Sequence, residues 1–294
     1  WGSNSGPAPY GSGNGINYAT CWDPVGLVYH ICDYYVDVDP WLGKEVSTGA
    51  QLGNSGPLSS VQAIINDPVN TANGNYAHQH TDIAIPTRGL ALDFSRAYNS
   101  LDPQAGPFGY GWTHNWNLTL AEDATGGSVT IAFGDGHTEH WTWSGAAYDG
   151  GPGVYGILVK NGDGSFDLLQ KDQTKYHFDP AGKLAWAEDK NANRTALAYD
   201  GSDRLLTITE PAGRALTLEY ASPVSTSLIS RITDHVLRSV QYTYNSASDL
   251  VSVTDVTNQT TTMTYDAAHR LLTMTDANEH IFLTNVYEAK KRMS

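Results

Sequence analysis

The residues best suited to chemistry are two histidines close together in the chain. His78 and His80 are two positions apart, so a strand would place both imidazoles on one face, which Asp82 would continue. This spacing can chelate a metal, and His137 and His140 supply further ligand types. No cysteine accompanies these residues, and no pair of histidines has the helical zinc spacing. The sequence therefore favours polar histidines on a strand face, leaves His78 and His80 as the candidates for a metal, and predicts no cofactor.

Two acidic patterns resemble functional sites but fit turns better. Residues 161–172 begin like a calcium loop, yet they lack glycine at the sixth position and glutamate at the twelfth, where Asp172 stands. The pair Glu188 and Asp189 recurs along the chain at a regular interval, whereas a glycosidase pair would occur once. A nucleophile elbow, a phosphate loop and a dinucleotide fingerprint are missing from the sequence. We therefore predict no catalytic residues and a protein that is not an enzyme.

The two cysteines, Cys21 and Cys32, flank a turn at residues 24–26 that can fold the chain into a hairpin. A disulfide across such a hairpin is geometrically easy and would fix an arm rich in glycine, serine and asparagine. Two buried free thiols are the alternative. The chain begins at Trp1 rather than methionine, which together with a disulfide predicts a mature secreted product.

An aromatic residue recurs every 21 to 24 residues through the second half of the chain. These residues form a predicted ladder: Phe178, Tyr199, Tyr220, Tyr244, Tyr265 and Tyr287. A leucine follows most of them by six residues, and an acidic turn comes next. Apolar residues alternate on both sides of each turn, which is the strand signature. A fixed period of this length is typical of one supersecondary unit that is stacked repeatedly.

The repeat, Tyr-Asp-x-x-x-Arg-Leu in its plainest copies, resembles the YD repeats of Rhs proteins, teneurins and shell-forming subunits of insecticidal toxin complexes. Residues 66–76 (NDPVNTANGNY), 94–100 (FSRAYNS) and 106–112 (GPFGYGW) resemble segments found upstream of many bacterial YD arrays. The resemblance covers residues 66–287. It implies an all-β fold, in which antiparallel hairpins form a strip of sheet behind an irregular β module and an extended arm.

The predicted organisation has four parts. Residues 1–65 form an arm with the cysteine hairpin, and residues 66–177 form a β-rich module. Residues 178–287 hold five YD units, and residues 288–294 are a basic tail. In the related families, long YD strips form hollow shells around a toxic carboxyl-terminal domain, or extracellular adhesive barrels. Five units are too few to close a shell, and the tail has no toxin domain.

Composition limits the partners. The net charge of −14 opposes binding to nucleic acid or anionic lipid, and no apolar run is long enough to span a bilayer. Trp141 and Trp143 share a strand face and could, with Trp112 or Trp116, stack on sugars, although core packing is the favoured interpretation. Secretion or display at the cell surface is the expected localisation.

Self-assembly is the leading functional hypothesis. The last strand would leave an edge with Ile281 and Leu283, and uncapped edges recruit further strands. Residues 1–65 could supply that strand to a neighbouring copy. The sequence therefore predicts a non-catalytic extracellular scaffold subunit that forms a fibre or sheet with copies of itself. The first alternative is a shell fragment of an Rhs-type polymorphic toxin, and the second is an adhesin that binds cell-surface glycans.

Overall fold

The structure, a computed structural model, describes residues 75–125, 127–220 and 225–287, together with the backbone of residues 18–23, 28–34 and 69–70. The chain divides into two compact units, residues 1–48 and residues 49–294, and each is described by itself. In the described part of the chain every regular element is a strand, so no helix there could cross a membrane. The predicted all-β fold is confirmed.

The described residues of the first unit form an antiparallel hairpin of β1 (Tyr18–Asp23) and β2 (Val28–Tyr34). The backbone pairs Cys21 with His30, and a register shift next to Ala19 leaves Cys32 without a paired residue on β1. The predicted hairpin around the cysteines is therefore present. The side chains of both cysteines lie outside the described residues, so the disulfide stays a prediction.

The second unit opens with a sheet of four strands in the order β3-β4-β5-β8 and a small ribbon of two strands. The strands are β3 (Val69–Asn70), β4 (Asn75–Ile85), β5 (Leu92–Asn99), β6 (Ala105–Gly106), β7 (Gly109–Tyr110) and β8 (Trp112–His114). A register shift between Thr81 and Ile83 makes Asp82 the extra residue of a bulge in β4. Bulges of this kind turn a side chain in a new direction.

A second sheet follows, with the order β12-β11-β10-β9. Its strands are β9 (Thr119–Glu122), β10 (Ser128–Ala132), β11 (Thr138–Trp143) and β12 (Tyr148–Asp149). Val129 and Ile131 of β10 are buried, and their neighbours along the strand are half-buried. This alternation is the reason that the segment forms a strand with one face on the core.

The rest of the unit is one antiparallel sheet of 13 strands, which lie side by side in chain order. The strands are β13 (Ile157–Lys160), β14 (Phe166–Leu169), β15 (Lys175–Phe178), β16 (Leu184–Glu188), β17 (Arg194–Tyr199), β18 (Leu205–Thr209), β19 (Ala215–Glu219), β20 (Arg231–Thr233), β21 (Ser239–Tyr244), β22 (Leu250–Thr254), β23 (Thr260–Tyr265), β24 (Leu271–Thr275) and β25 (Ile281–Thr284). We refer to this sheet as the array. It begins two strands before β15, which holds the first predicted ladder residue, because alternating side chains and tight turns suffice to continue it without the tyrosine motif.

One face of the array supplies most of the core. In β18, Leu205 and Ile208 are buried, and the residues between them are not. The opposite face carries threonines that meet across strands, as in the hydrogen bonds between Thr243 and Ser252 and between Thr264 and Thr273. Burying one leucine or isoleucine side chain contributes about 1.5–3 kcal/mol, so each unit adds its own share to the stability.

In most hairpin turns of the array, the side chain of the first residue caps the turn. Asp200 Oδ1 accepts the backbone N–H of Ser202 at 2.8 Å and that of Arg204 at 3.1 Å, and the N–H of Asp203 donates to the Asp200 carbonyl at 3.0 Å. The same side-chain pattern recurs at Asp179, Asp189, Asp234, Asn245, Asp255, Asp266 and Asp276. The periodic acids thus hold the turns, as asparagine and aspartate do in Asx-turns.

These caps predict a pH dependence of stability. The hydrogen bond from Arg204 is the largest cause that lowers the pKa of Asp200; at Asp234, burial raises the pKa but hydrogen bonds from Arg238 and the backbone outweigh it. The pKa values of these carboxyl groups are lower in the folded state than in the unfolded chain. The stability that the caps contribute is therefore complete above the unfolded-state pKa values, near pH 4, and is lost as the pH falls through the folded-state pKa values. We expect urea midpoints that are flat from about pH 7 to 5 and decrease steeply below about pH 4. A midpoint unchanged at about pH 3 would contradict these capping roles.

One turn residue predicts a stabilising substitution. Leu237 has a φ of 65° and is 84% exposed, so its side chain gains little and its backbone is strained. Relief of the left-handed conformation is worth about 1–2 kcal/mol, and the entropic cost of glycine is about 0.4–1 kcal/mol. Leu237→Gly should therefore raise the free energy of unfolding by about 0.5–1 kcal/mol in urea melts. The control Val236→Gly, outside the left-handed region, should lower it, and a less stable Leu237→Gly would refute the argument.

Candidate functional site

Each ladder tyrosine donates the same kind of hydrogen bond to a backbone carbonyl. The hydroxyl of Tyr199 donates to the carbonyl of Leu184 at 2.9 Å, where pairing between β16 and β17 has ended. A buried carbonyl without a partner is costly, so the hydroxyl replaces the missing strand bond. Four further bonds repeat the pattern: Tyr220 to Leu205, Tyr244 to Ile229, Tyr265 to Leu250 and Tyr287 to Leu271. Phe178, the first predicted ladder residue, is buried and has no hydroxyl to donate.

The basic residue of the motif contacts both its own turn and the next unit. Arg204 pairs with Asp200 through a 2.7 Å bond in its own turn, and its guanidinium lies 4.8 Å from the ring centre of Tyr220 in the next unit. Lys183 covers Tyr199 and Arg270 covers Tyr287 in the same way. In these three units the motif therefore joins one unit to the next through a charge over an aromatic ring.

The strongest candidate site is a buried ion pair within the module that precedes the array, at the place where this module contacts the array. We call this module the leading module (residues 75–133). Arg96 of β5 donates to Asp82 through Nε at 2.6 Å and Nη2 at 2.9 Å, and both side chains are nearly inaccessible. The hydroxyl of Tyr242 in β21 donates to Asp82 at 2.6 Å. A buried charge is tolerated when it is paired and hydrogen-bonded in this way.

Charges in this site are confined to Asp82 and Arg96. Burial alone would lower the pKa of Arg96, but the adjacent carboxylate of Asp82 raises it above its usual value. Burial, aided by Asp82, raises the pKa of Tyr242 well above its ordinary range. Burial and then the charge of Arg96 lower the pKa of His78 to about 4. His78 and Tyr242 are therefore neutral near pH 7, which suits a structural contact better than proton transfer.

Two aromatic residues of the leading module connect it directly to the ladder. The indole N–H of Trp112 donates to the hydroxyl of Tyr265 at 2.9 Å. The backbone N–H of Leu271 donates to the hydroxyl of Tyr98 at 2.8 Å. The rings of Trp112 and Tyr98 also pack on each other at 5.1 Å. The leading module and the array thus share one core.

The metal candidates do not form a metal site in the described part of the chain. His80 is exposed and lies 3.8 Å from Asp82, whose oxygens are already held by Arg96 and Tyr242. Among the described residues, no three histidine, cysteine, aspartate or glutamate side chains are grouped as a metal would need. The positive charge of Arg96 would also repel a cation at this place.

The remaining predicted sites are dispersed. Ile281 is 62% exposed at the edge strand β25, whereas Leu283 packs against the core. Trp141 is buried while Trp143 is 43% exposed, and the other two tryptophans proposed for sugar stacking are buried as well. The structure therefore does not bring together the four tryptophans as an exposed platform.

A cavity of about 370 Å³ lies between the leading module and the first YD units. Its two cations, Lys183 and Arg204, are already bound to Asp203 and Asp200. Because both charges are neutralised, the cavity has no free cation for an anionic ligand.

Sequence reasoning missed the pair of Asp82 and Arg96 as a site. Arg96 stands in β5 close to the apolar residues Phe94, Ala97 and Tyr98, which is the signal that could have indicated a buried charge. The third member, Tyr242, lies 160 residues from Asp82 in the chain. No local pattern connects residues over that distance.

Comparisons with known proteins identify family models and relatives that match parts of this chain. Residues 66–141 match the model of a domain of unknown function (DUF6531), and residues 244–280 match the RHS Repeat. The tRNA nuclease WapA of Bacillus subtilis strain 168 is 32% identical over 159 residues, which are 53% of this chain and 7% of that protein. The tRNA3(Ser)-specific nuclease WapA of Bacillus spizizenii is 33% identical over the same lengths, and the tRNA(Glu)-specific nuclease WapA of Bacillus subtilis subsp. natto is 32% identical.

These relatives correct one prediction. The expectation of a protein that is not an enzyme is contradicted, because all three relatives are named as tRNA nucleases. The matched segment spans about 7% of their length. The repeats, the upstream segments and the hairpin array agree with both family models, so this chain carries RHS repeats behind a segment similar to DUF6531.

Proposed function

We propose that this chain forms part of the YD-repeat shell of an Rhs-type polymorphic toxin that acts as a tRNA nuclease. The observation that carries the proposal is the array of 13 strands with the leading module packed on it, in a chain whose matched half is similar to tRNA nucleases. Hairpins laid in chain order can be extended by further repeats without rearranging those already formed. In this role the chain belongs to the enclosing shell and not to the enclosed toxin domain.

The names of the relatives support a shared, substrate-independent role for the matched segment. One is specific for tRNA3(Ser) and another for tRNA(Glu), yet both are similar to this chain over the same length and at nearly the same identity. A net charge of −14 does not provide the basic surface that binding of a phosphate backbone requires. We therefore place tRNA recognition in a different part of the polypeptide.

The cellular location follows from the same proposal. A toxin shell acts on other cells, so we place the protein at the cell surface or in the secreted fraction. The hairpin around Cys21 and Cys32 is compatible with an oxidising compartment.

The native polypeptide that contains this chain provides the test. We expect it, once isolated from its source, to cleave purified total tRNA into discrete fragments, and we expect residues 75–287 to resist trypsin as one block. Intact tRNA after incubation under several metal and pH conditions, with activity verified for a WapA nuclease in parallel, would refute the nuclease assignment.

Assembly with copies of itself is a second candidate. The observation that favours it is the edge strand β25, where Ile281 is 62% and Phe282 is 55% exposed. Exposed apolar edges pair with further strands. Light scattering should then show multimers that dissociate in Phe282→Lys, and a monomer at all concentrations would exclude this candidate.

A further inference from the structure

One turn of the array departs from a pattern that three others share. The turns at residues 179–183, 200–204 and 266–270 carry an acid at the first position and a base at the fifth, as in Asp200 with Arg204 and Asp266 with Arg270. The turn at residues 245–249 has a neutral amide, Asn245, at the first position and an acid, Asp249, at the fifth, and we call it the reversed turn. The backbone of this turn is unchanged, because Asn245 Oδ1 accepts the N–H of Asp249 at 2.9 Å as an aspartate would.

The reversal places a carboxylate where the other turns have a cation. Asp249 is buried; one oxygen accepts from Asn245 Nδ2 at 2.9 Å and the other contacts His269 Nδ1 at 2.7 Å. The same step between turns occurs in the first unit, where Lys183 donates to Asp203 at 2.6 Å. In both contacts the fifth residue of one turn meets the fourth residue of the next turn on the same side, 20 residues later. The acid is the later residue in the first contact and the earlier residue in the second.

The reversed turn is also where residues 106–112, the docking loop, contact the array. The ring of Tyr110 stacks on His269 with centres 3.9 Å apart and planes 17° apart. Gly109 approaches the turn so closely that a Cβ atom there would lie 2.1 Å from the carbonyl oxygen of Ser248. Pro107 accepts the backbone N–H of Ile229 at 3.0 Å on the other side of the loop.

An ordinary turn would not leave this space. In three units the basic residue lies over the ladder tyrosine of the next unit. The corresponding tyrosine here is Tyr265, and Trp112 of the docking loop donates to its hydroxyl. An arginine at position 249 would extend toward the same tyrosine, and the buried partner of His269 would be lost.

We propose that the exchange at Asn245 and Asp249, with His269, is the determinant that selects which unit of the array receives the docking loop. The partner of this surface is the loop of the same chain, with a glycine for close approach and an aromatic ring for the histidine. Without the exchange, neighbouring turns of nearly identical backbone would give the docking loop several equivalent positions at which to pack on the array. This selection concerns the packing of the leading module and does not depend on the proposed nuclease function.

Hydrogen exchange of two backbone amides reports whether the loop is seated. The amides of Ile229 and Leu271 donate to Pro107 and Tyr98 of the leading module. The double variant Asn245→Asp, Asp249→Arg restores an ordinary turn and should accelerate exchange at both amides by at least about tenfold. The amide of Ser248, which donates to Asn245 within the turn, should keep its protection and show that the turn itself is folded.

The matched control makes the opposite exchange in a turn at the other end of the strands. Asp234→Asn, Arg238→Asp converts an acid–base turn into a copy of the reversed one, and it should leave exchange at Ile229 and Leu271 unchanged. If the restored turn prevents folding, His269→Ala removes the ring that stacks on Tyr110 together with its contact to Asp249, and it should give the same tenfold acceleration. Exchange at both amides within about threefold of the parent chain, in either variant, would overturn the proposal.

Discussion

Replacing Asp82 with alanine should lower the free energy of unfolding by about 3–5 kcal/mol, because the substitution leaves Arg96 charged and buried without its partner. Arg96 cannot lose its proton to escape this cost. Tyr242 would lose the acceptor of its hydroxyl at the same time. Urea unfolding monitored by tryptophan fluorescence measures the change.

An exposed ion pair of the same chain gives the control. Asp203 is 78% exposed and accepts from Lys183, so Asp203→Ala should cost less than about 1 kcal/mol. Replacing the buried pair together, Asp82→Leu with Arg96→Met, should cost much less than Asp82→Ala alone, since no uncompensated charge remains. Equal losses for Asp82→Ala and Asp203→Ala would contradict the role given to the buried pair.

Replacing Phe108 with alanine should cost a further about 3–5 kcal/mol, the range for a large aromatic residue removed from a core. Phe108 is fully buried, and its ring contacts those of Phe94 at 6.0 Å and Tyr242 at 4.7 Å. It is therefore the apolar centre of the contact between the docking loop and the array. The loss appears as a decrease in the urea midpoint.

Tyr155→Ala is the control for the loss of the Phe108 side chain. It is 72% exposed, so Tyr155→Ala should change the stability by no more than about 0.5 kcal/mol. If Phe108→Ala were as mild as Tyr155→Ala, the docking loop would contribute little to the shared core and the account of the contact would be wrong.

The hairpins could be predicted because their determinants are local. Alternating residues such as Leu197 and Tyr199 define a strand. Turns such as the one that begins at Glu210 mark where strands end. The tyrosine period also indicated the ladder. The bond from each tyrosine to a backbone carbonyl 15 or 16 residues earlier did not follow, since it depends on where a neighbouring strand pairing stops.

The start of the array and the candidate site could not be predicted, for a physical reason common to both. Strands β13 and β14 lack the tyrosine motif, and they join the sheet through backbone bonds that any alternating sequence can make. Asp82 is directed toward Arg96 by a bulge, and the pair is completed by Tyr242 from a distant strand. Contacts set by tertiary packing leave no spacing to detect. The reversed turn at Asn245 and Asp249, by contrast, is visible in the sequence once the pattern that three other turns share is known.

A cryo-electron microscopy reconstruction of the native polypeptide that contains this chain would show whether the array is part of a shell. We expect a hollow particle whose wall includes residues 75–287, with the leading module packed on the array through Arg96, Asp82 and Tyr242. Density in which residues 75–287 stand apart from any enclosing sheet, or in which the leading module is separated from the array, would contradict this expectation.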